Sequence, residues 1–230
     1  MFNNIFENKI LNNNSPVLVM GLNDKVQASY VWNLFGASKK NILVVTNTLY
    51  EANMLYKSLN QYDKDNILLF PMDDFLVSEA VATSPDLMSK RIETLNELAK
   101  NNIGKIVITN FMGYLRFLPS RKLWSSLNIN IKETDEINRD LLIQKLNMIG
   151  YKKDSIVTKT GEYANRGYIL DVFPYGYENP VRIEFFDDEI ESIREFSSDT
   201  QLSMKKKDNI EICPFTEFIN EKNVEDILER

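Results

Sequence analysis

The period of the apolar residues changes near Leu127, and this change divides the chain into two differently built parts. Upstream, short β-branched runs alternate with stretches whose apolar residues recur every three or four positions. "NILVVTNT", "NILLFP" and "GKIVITN" read as strands, and so does the shorter run Val17–Met20. Lys25–Phe35 reads as a helix, as does "LYEANMLYKSLNQY", with Leu49, Ala52, Met54, Leu55 and Leu59 on one face. "SPDLMSKRIETLNELAKNN" has a stripe of Leu87, Ile92, Leu95 and Leu98, with Ser84 placed to cap it and Pro85 in its first turn. "FMGYLRFLPS" reads as a short helical turn ending at Pro119. Strands alternating with helices imply a parallel sheet covered on both faces, so "NILVVTNT" is expected to be a buried strand.

Downstream the alternation shortens to every second residue. "LNINIKETDEI" leads into one amphipathic helix, "NRDLLIQKLNMIGYKK", with Asn138 as cap and Gly150 at its end. "DSIVTKT", "GYILDVFP" and "PVRIEFFDDEIESIREF" read as strands, with "YGYENP" as a hairpin connection. This is an antiparallel α+β module. The short strand Ile210–Ile212 is expected to return to the first domain, and Val224–Arg230 to form a helix without a stop signal, as in a piece of a longer chain. The domain division read here is 1–126, 127–209 and a return segment, 210–230.

No apolar run approaches the roughly 18 residues of a membrane span. The N-terminus, "MFNNIFENKILNNNS", lacks the basic flank and apolar block of a signal peptide, so a cytoplasmic location is expected. The chain has 230 residues, a net charge of −6 and no histidine. Without histidine, Ser-His-Asp and Cys-His catalysis are excluded, as are the commonest transition-metal sites. The one cysteine, Cys213, has no partner for an internal disulfide. Nucleic-acid affinity rests largely on phosphate neutralisation, which the acidic balance disfavours. The one dense cationic run, Met204–Asp208, reads as a solvated loop.

Strand, Gly21, helix is how a phosphate-binding P-loop begins. Such a loop needs a second glycine, a lysine and a hydroxyl at fixed offsets, for backbone approach, charge neutralisation and magnesium. Counting from Gly21, those positions hold Val26, Gln27 and Ala28, while Asp24 would repel phosphate. ATP hydrolysis by this segment is not expected, and neither cofactor nor metal is expected in the chain. Asp187–Ile190 and Met72–Phe75 are acidic, but their contexts suit a polar turn and a loop or helix cap. The remaining signal is a surface. Arg166, Arg182 and Arg194 stand beside Tyr163, Tyr168, Phe185 and Phe186, a composition typical of protein-interface anchors. Alternation puts Ile183 and Phe185 on one face and Arg182 and Phe186 on the other.

"GEYANRGYILDVFP" followed by "PVRIEFFDDEIESIREF" resembles the second domain shared by the bacterial excision-repair protein UvrB and the transcription-repair coupling factors (Mfd). "LLFPMDDFL" and "SPDLMSKRIETLNEL" resemble their first domain, and the resemblance runs from Pro16 to Phe218. UvrB carries an intact phosphate loop, with glycine at the positions of Asp24 and Val26, lysine at Gln27 and threonine at Ala28. It also carries a tyrosine-rich hairpin, for which Val77–Thr83 leaves no room. Both differences favour the N-terminal, UvrB-like region of the coupling factors. The implied fold is a degenerate, P-loop NTPase-like helicase domain with an inserted α+β domain that contacts UvrA. The resemblance implies recruitment of UvrA to stalled RNA polymerase, with Arg166, Arg182 and Phe186 as contacts. ATP, magnesium, DNA and RNA polymerase then belong to other parts of a longer translocase. The alternatives are a divergent UvrB-like ATPase and a DNA-binding repair subunit.

Overall fold

Helix and strand formation follow the two periods. The computed structural model describes residues 16–38, 40–74, 84–100 and 104–219. The expected helix at Val224–Arg230 and the Val77–Thr83 spacer lie outside the described residues. Two compact units meet between Phe117 and Leu118.

The first unit contains α1 (Asp24–Ser38), β1 (Ile42–Thr46), α2 (Leu49–Leu59), β2 (Ile67–Phe70), α3 (Pro85–Ala99), β3 (Ile106–Asn110) and the short α4 (Phe111–Tyr114). The sheet is parallel in the order β1-β3-β2, with Ile106 opposite both Ile42 and Ile67. Ile106, Ile108, Ile67 and Leu69 pack on Ala52, Leu55, Leu59 and Ala28. On the other face Leu68, Phe70 and Val107 meet Leu95 and Leu98 of α3. The central strand is therefore covered on both sides, as parallel pairing demands.

Two expectations of this unit are corrected. β1 is not a buried strand: Leu43 and Val45 are exposed, because β1 stands at the sheet's edge and only its other face meets the core. Apolar content alone does not separate an edge from a centre. Val17–Met20 forms no strand, and Leu18 and Met20 are largely exposed. A four-residue apolar run becomes a strand only with a ladder partner, and none of the described strands pairs with it.

The N-terminus of α2 is held twice. Thr48 and Glu51 form a reciprocal capping box. From the loop after β2, Asp74 accepts the Leu49 N–H at 2.8 Å and the Asn110 side-chain amide at 2.8 Å. The expectation of a cap in Met72–Phe75 thus falls on Asp74. Ser84 precedes α3 with Pro85 in the first turn, but its hydroxyl makes no capping bond.

The second unit contains α5 (Arg121–Ser126), β4 (Ile129–Lys132), α6 (Arg139–Met148), β5 (Lys152–Lys153), β6 (Glu162–Arg166), β7 (Ile169–Val172), β8 (Val181–Phe186), β9 (Glu189–Phe196), β10 (Ser203–Lys206) and β11 (Asn209–Ile212). Six strands lie in the order β10-β9-β8-β7-β6-β5, antiparallel except for β5 with β6. β11 and β4 form a separate antiparallel pair. Leu142 and Leu146 of α6, with Ile149 just beyond its end, pack with Tyr163, Leu170, Val172, Val181, Ile183 and Phe185. Asn138 caps α6 through the Leu141 N–H.

The domain division is corrected at both ends. The units divide between Phe117 and Leu118, not at 126/127, because Leu123 and Leu127 pack on the second unit's core. Asn209–Ile212 does not return to the first unit. It pairs with Ile129–Lys132, and Ile210 and Ile212 are buried in the second unit's core. Asp154–Thr160 is not a strand; Val157 alone is buried there, against Ala164, Phe173 and Phe196. Met204–Lys206 is not a loop but part of an exposed edge strand. Asp187–Asp188 is the expected polar turn, with Asp187 at φ 59°.

Gly161 has φ +87°, and a Cβ there would stand 2.1 Å from the Phe215 ring. Gly176 has φ +83° but open space around it. Gly161→Ala is expected to lower unfolding stability by about 3 kcal/mol, and Gly176→Ala by about 1 kcal/mol, the strain alone. Urea denaturation of the two variants checks the difference. Asp74→Ala, which strips the second cap from α2, is expected to lower stability by about 1 kcal/mol in the same assay.

Candidate docking face

The segment after Gly21 shares one feature with a phosphate loop. Gly21 adopts φ +80°. Beyond it, Asn23 Oδ1 accepts the Val26 N–H at 3.0 Å, and the Asn23 carbonyl accepts that of Gln27 at 2.8 Å. The amide that would face a phosphate is satisfied by the protein's own side chain. Ala28, at the hydroxyl position, is buried in the apolar core. The adjoining cleft of ≈ 510 Å³ is lined by Gln27, Thr46, Asn47 and Glu51 among others, and Glu51 is the one charged side chain among the described residues that line it. That lining cannot neutralise a polyphosphate. Among the described residues no cluster of metal-ligating side chains occurs.

The second unit offers a different kind of surface. β6 to β9 turn Tyr163, Leu170, Val172, Val181, Ile183 and Phe185 toward the core. Their alternate residues must share the opposite face. On that face Ala164, Asp171, Arg182 and Arg194 stand directly opposite one another along four strands. The next row is Arg166, Ile169, Glu184 and Ser192. Beyond it, Phe186 ends β8 opposite Glu189. The expected division of β8 is borne out: Ile183 and Phe185 are buried, Arg182 is partly exposed, and Phe186 is 72% exposed.

Asp171 organises the face. Its side chain is fully buried, and both oxygens are taken by arginines. Arg182 donates Nε to Oδ1 at 2.8 Å and Nη2 to Oδ2 at 3.0 Å, a bidentate pair. Arg166 donates Nη2 to the same Oδ2. The Arg182 guanidinium also lies 4.7 Å from the Phe196 ring centroid. Hydrogen bonding to Asp171 raises the Arg182 pKa against the opposing pull of desolvation. The two arginines are not equivalent: 48% of the Arg166 side chain is exposed, against 15% for Arg182. Glu184 accepts the Ser192 hydroxyl. Tyr168, in the turn between β6 and β7, is also exposed.

The structure thus gathers Arg166, Arg182 and Phe186 on one face of one sheet of the second unit, whereas Gly21, Val26, Gln27 and Ala28 belong to the first unit. Sequence reasoning missed Asp171 and Phe196. A signal for Asp171 existed: one acid inside the apolar run "YILDVF" needs a cation opposite it.

Comparison with known proteins agrees with this division. The family model for the UvrB interaction domain matches residues 129–218. A transcription-repair-coupling factor of Staphylococcus aureus (strain bovine RF122 / ET3-1) is 36% identical over 200 residues, covering 86% of this chain and 17% of that protein. The protein of the same description from Staphylococcus haemolyticus (strain JCSC1435) is 35% identical over 201 residues, covering 87% and 17%. A third, from Staphylococcus epidermidis (strain ATCC 12228 / FDA PCI 1200), is 33% identical over 204 residues, covering 88% and 17%. The chain therefore spans 17% of the length of these relatives. Its kinship is with one segment of the transcription-repair coupling factors, and residues 129–218 match the UvrB interaction domain family.

Proposed function

We propose that this chain is a non-catalytic docking module that binds UvrA and so helps bring excision repair to stalled transcription. One observation carries the reading: Phe186, an apolar ring 72% exposed, shares a rigid sheet face with Arg166, whose guanidinium is already ordered by a buried carboxylate. An aromatic and an arginine held in place are the usual anchors of a protein interface, because little side-chain freedom is left to lose on binding. Phe186 and the exposed part of Arg166 make the contact. Arg182, stacked on Phe196 and bonded twice to Asp171, contributes mainly by holding that arrangement. Displacement of RNA polymerase and ATP-driven movement on DNA are assigned in this reading to other parts of a longer protein.

Titration of the chain with UvrA tests the reading. Phe186→Ala and Arg166→Ala are each expected to weaken binding by about 2 kcal/mol, roughly thirtyfold. Wild-type affinity in the double variant Arg166→Ala/Phe186→Ala would remove these residues from the interface. The divergent-ATPase alternative has its own test. Magnesium and ATP at millimolar concentration are expected to leave the thermal midpoint unchanged, whereas ligand binding to the folded state would raise it.

A further inference from the structure

We propose that Asp171 is a positioning residue of the docking face: it fixes Arg166 toward the partner and leaves one guanidinium charge to be met by a partner carboxylate. This inference rests on the docking reading above and deepens it. Asp171 is fully buried, so it touches no partner itself. Its position is set by the ladder, between Ala164 on β6 and Arg182 on β8. Ala164 puts no polar group opposite Asp171, and Arg166, two residues on and on the same face, donates Nη2 to it.

The charges are not shared evenly within the cluster. Two guanidinium groups share the one carboxylate of Asp171, and Glu184 on the next row acts on Arg182, so Arg166 is the guanidinium without a carboxylate of its own. Arg182 uses Nε and Nη2 on Asp171 and is mostly covered. Arg166 uses Nη2, and nearly half of its side chain remains open to solvent. The shared, partly open guanidinium is therefore presented at Arg166. Arg194, exposed and directly opposite Arg182, adds a further cation on the same face. Glu184, the acid on the next row, accepts the Ser192 hydroxyl, keeps its charge and acts on Arg182. The complementary surface is one that offers a carboxylate to Arg166 beside an apolar seat for Phe186.

The double-mutant cycle of Asp171→Asn with Arg166→Ala, read by UvrA titration, tests this role. Asparagine keeps the shape but offers one acceptor oxygen and no charge, so it cannot serve both arginines. Asp171→Asn is expected to weaken binding about tenfold in the wild-type background and hardly at all in the Arg166→Ala background. Undiminished binding by Asp171→Asn, or the same loss in both backgrounds, overturns the role while leaving the docking reading intact. A wild-type chain that fails to bind UvrA overturns both. If Asp171→Asn does not fold, arginine-detected NMR of the unmodified chain decides. Slowly rotating, resolved Nη protons for Arg166 are expected, and a single averaged signal overturns the proposal.

Discussion

A carboxylate with no exposed surface sits in β7, in the middle of a six-stranded sheet, and the register of the sheet makes it tolerable. An unpaired carboxylate at this depth would be strongly destabilising, so Asp171 must face cations. It does so because Arg182 is its direct neighbour on β8 and Arg166 lies two residues beyond its neighbour on β6. Moving β7 by one residue would turn Asp171 toward the apolar core, opposite Ile183 or Val181 on β8, and put both Leu170 and Val172 outside. The apolar face and the ion cluster therefore specify the same register from opposite sides. The helix α6, the β4–β11 pair and the outer residues all take their places from that sheet.

The first unit meets a comparable demand at its helix termini with its own side chains. Helix termini leave N–H groups that need acceptors. At α1 the acceptors are Asn23's own carbonyl and carboxamide; at α2 they are Thr48 and Asp74. Asn110, fully buried at the end of β3, joins Asp74 to the Met72 backbone through bonds of 2.8 and 3.0 Å. Polar groups at the ends of parallel strands, where ligands commonly bind in such sheets, are here bonded to one another. With Ala28 in the core, the βα unit after Gly21 is satisfied by packing and capping alone.

Most of this order was legible in the residues because hydrophobic period is a local property. α2, β2, α3, β3, α6 and the β8–β9 hairpin follow from it, as do the Asn138 cap and the exposure of Phe186. What was not legible depends on partners distant in sequence. β1 looked buried because an apolar run does not say whether both of its edges are paired. β11 looked like a return strand because its alternation fits any waiting edge; only burial of Ile210 and Ile212 against Ile131 chose β4. The lysines of β10 read as loop because they are polar, yet lysine on an outer strand is a common way to keep that edge from pairing with another chain. At the candidate site, Arg166, Arg182 and Phe186 could be placed on one face by alternation. The inequality of the two arginines could not, since it depends on Asp171 and on the ring of Phe196.

The position of Phe186 shows how an exposed apolar ring can be kept in a stable orientation. It is the last residue of β8, directly before a two-residue turn in which Asp187 takes φ 59°. Just before it the pairing with β9 shifts by one residue, between Glu184 and Phe185. The extra residue, Glu191, lies on β9, so the bend falls on that strand and β8 keeps its alternation up to Phe186. The turn is braced from outside: Ile137 donates its N–H to the Asp188 carbonyl at 2.8 Å, and Thr134 and Asp135 exchange backbone bonds with Ile190. Phe185, on the opposite face, is anchored in the core and donates its N–H to the Tyr168 carbonyl at 2.8 Å. The backbone under Phe186 is thus held on both sides, while its ring meets solvent. Such a ring has only side-chain rotation to lose when a partner covers it, which is why exposure on a braced strand favours recognition more than the same exposure on a loose loop.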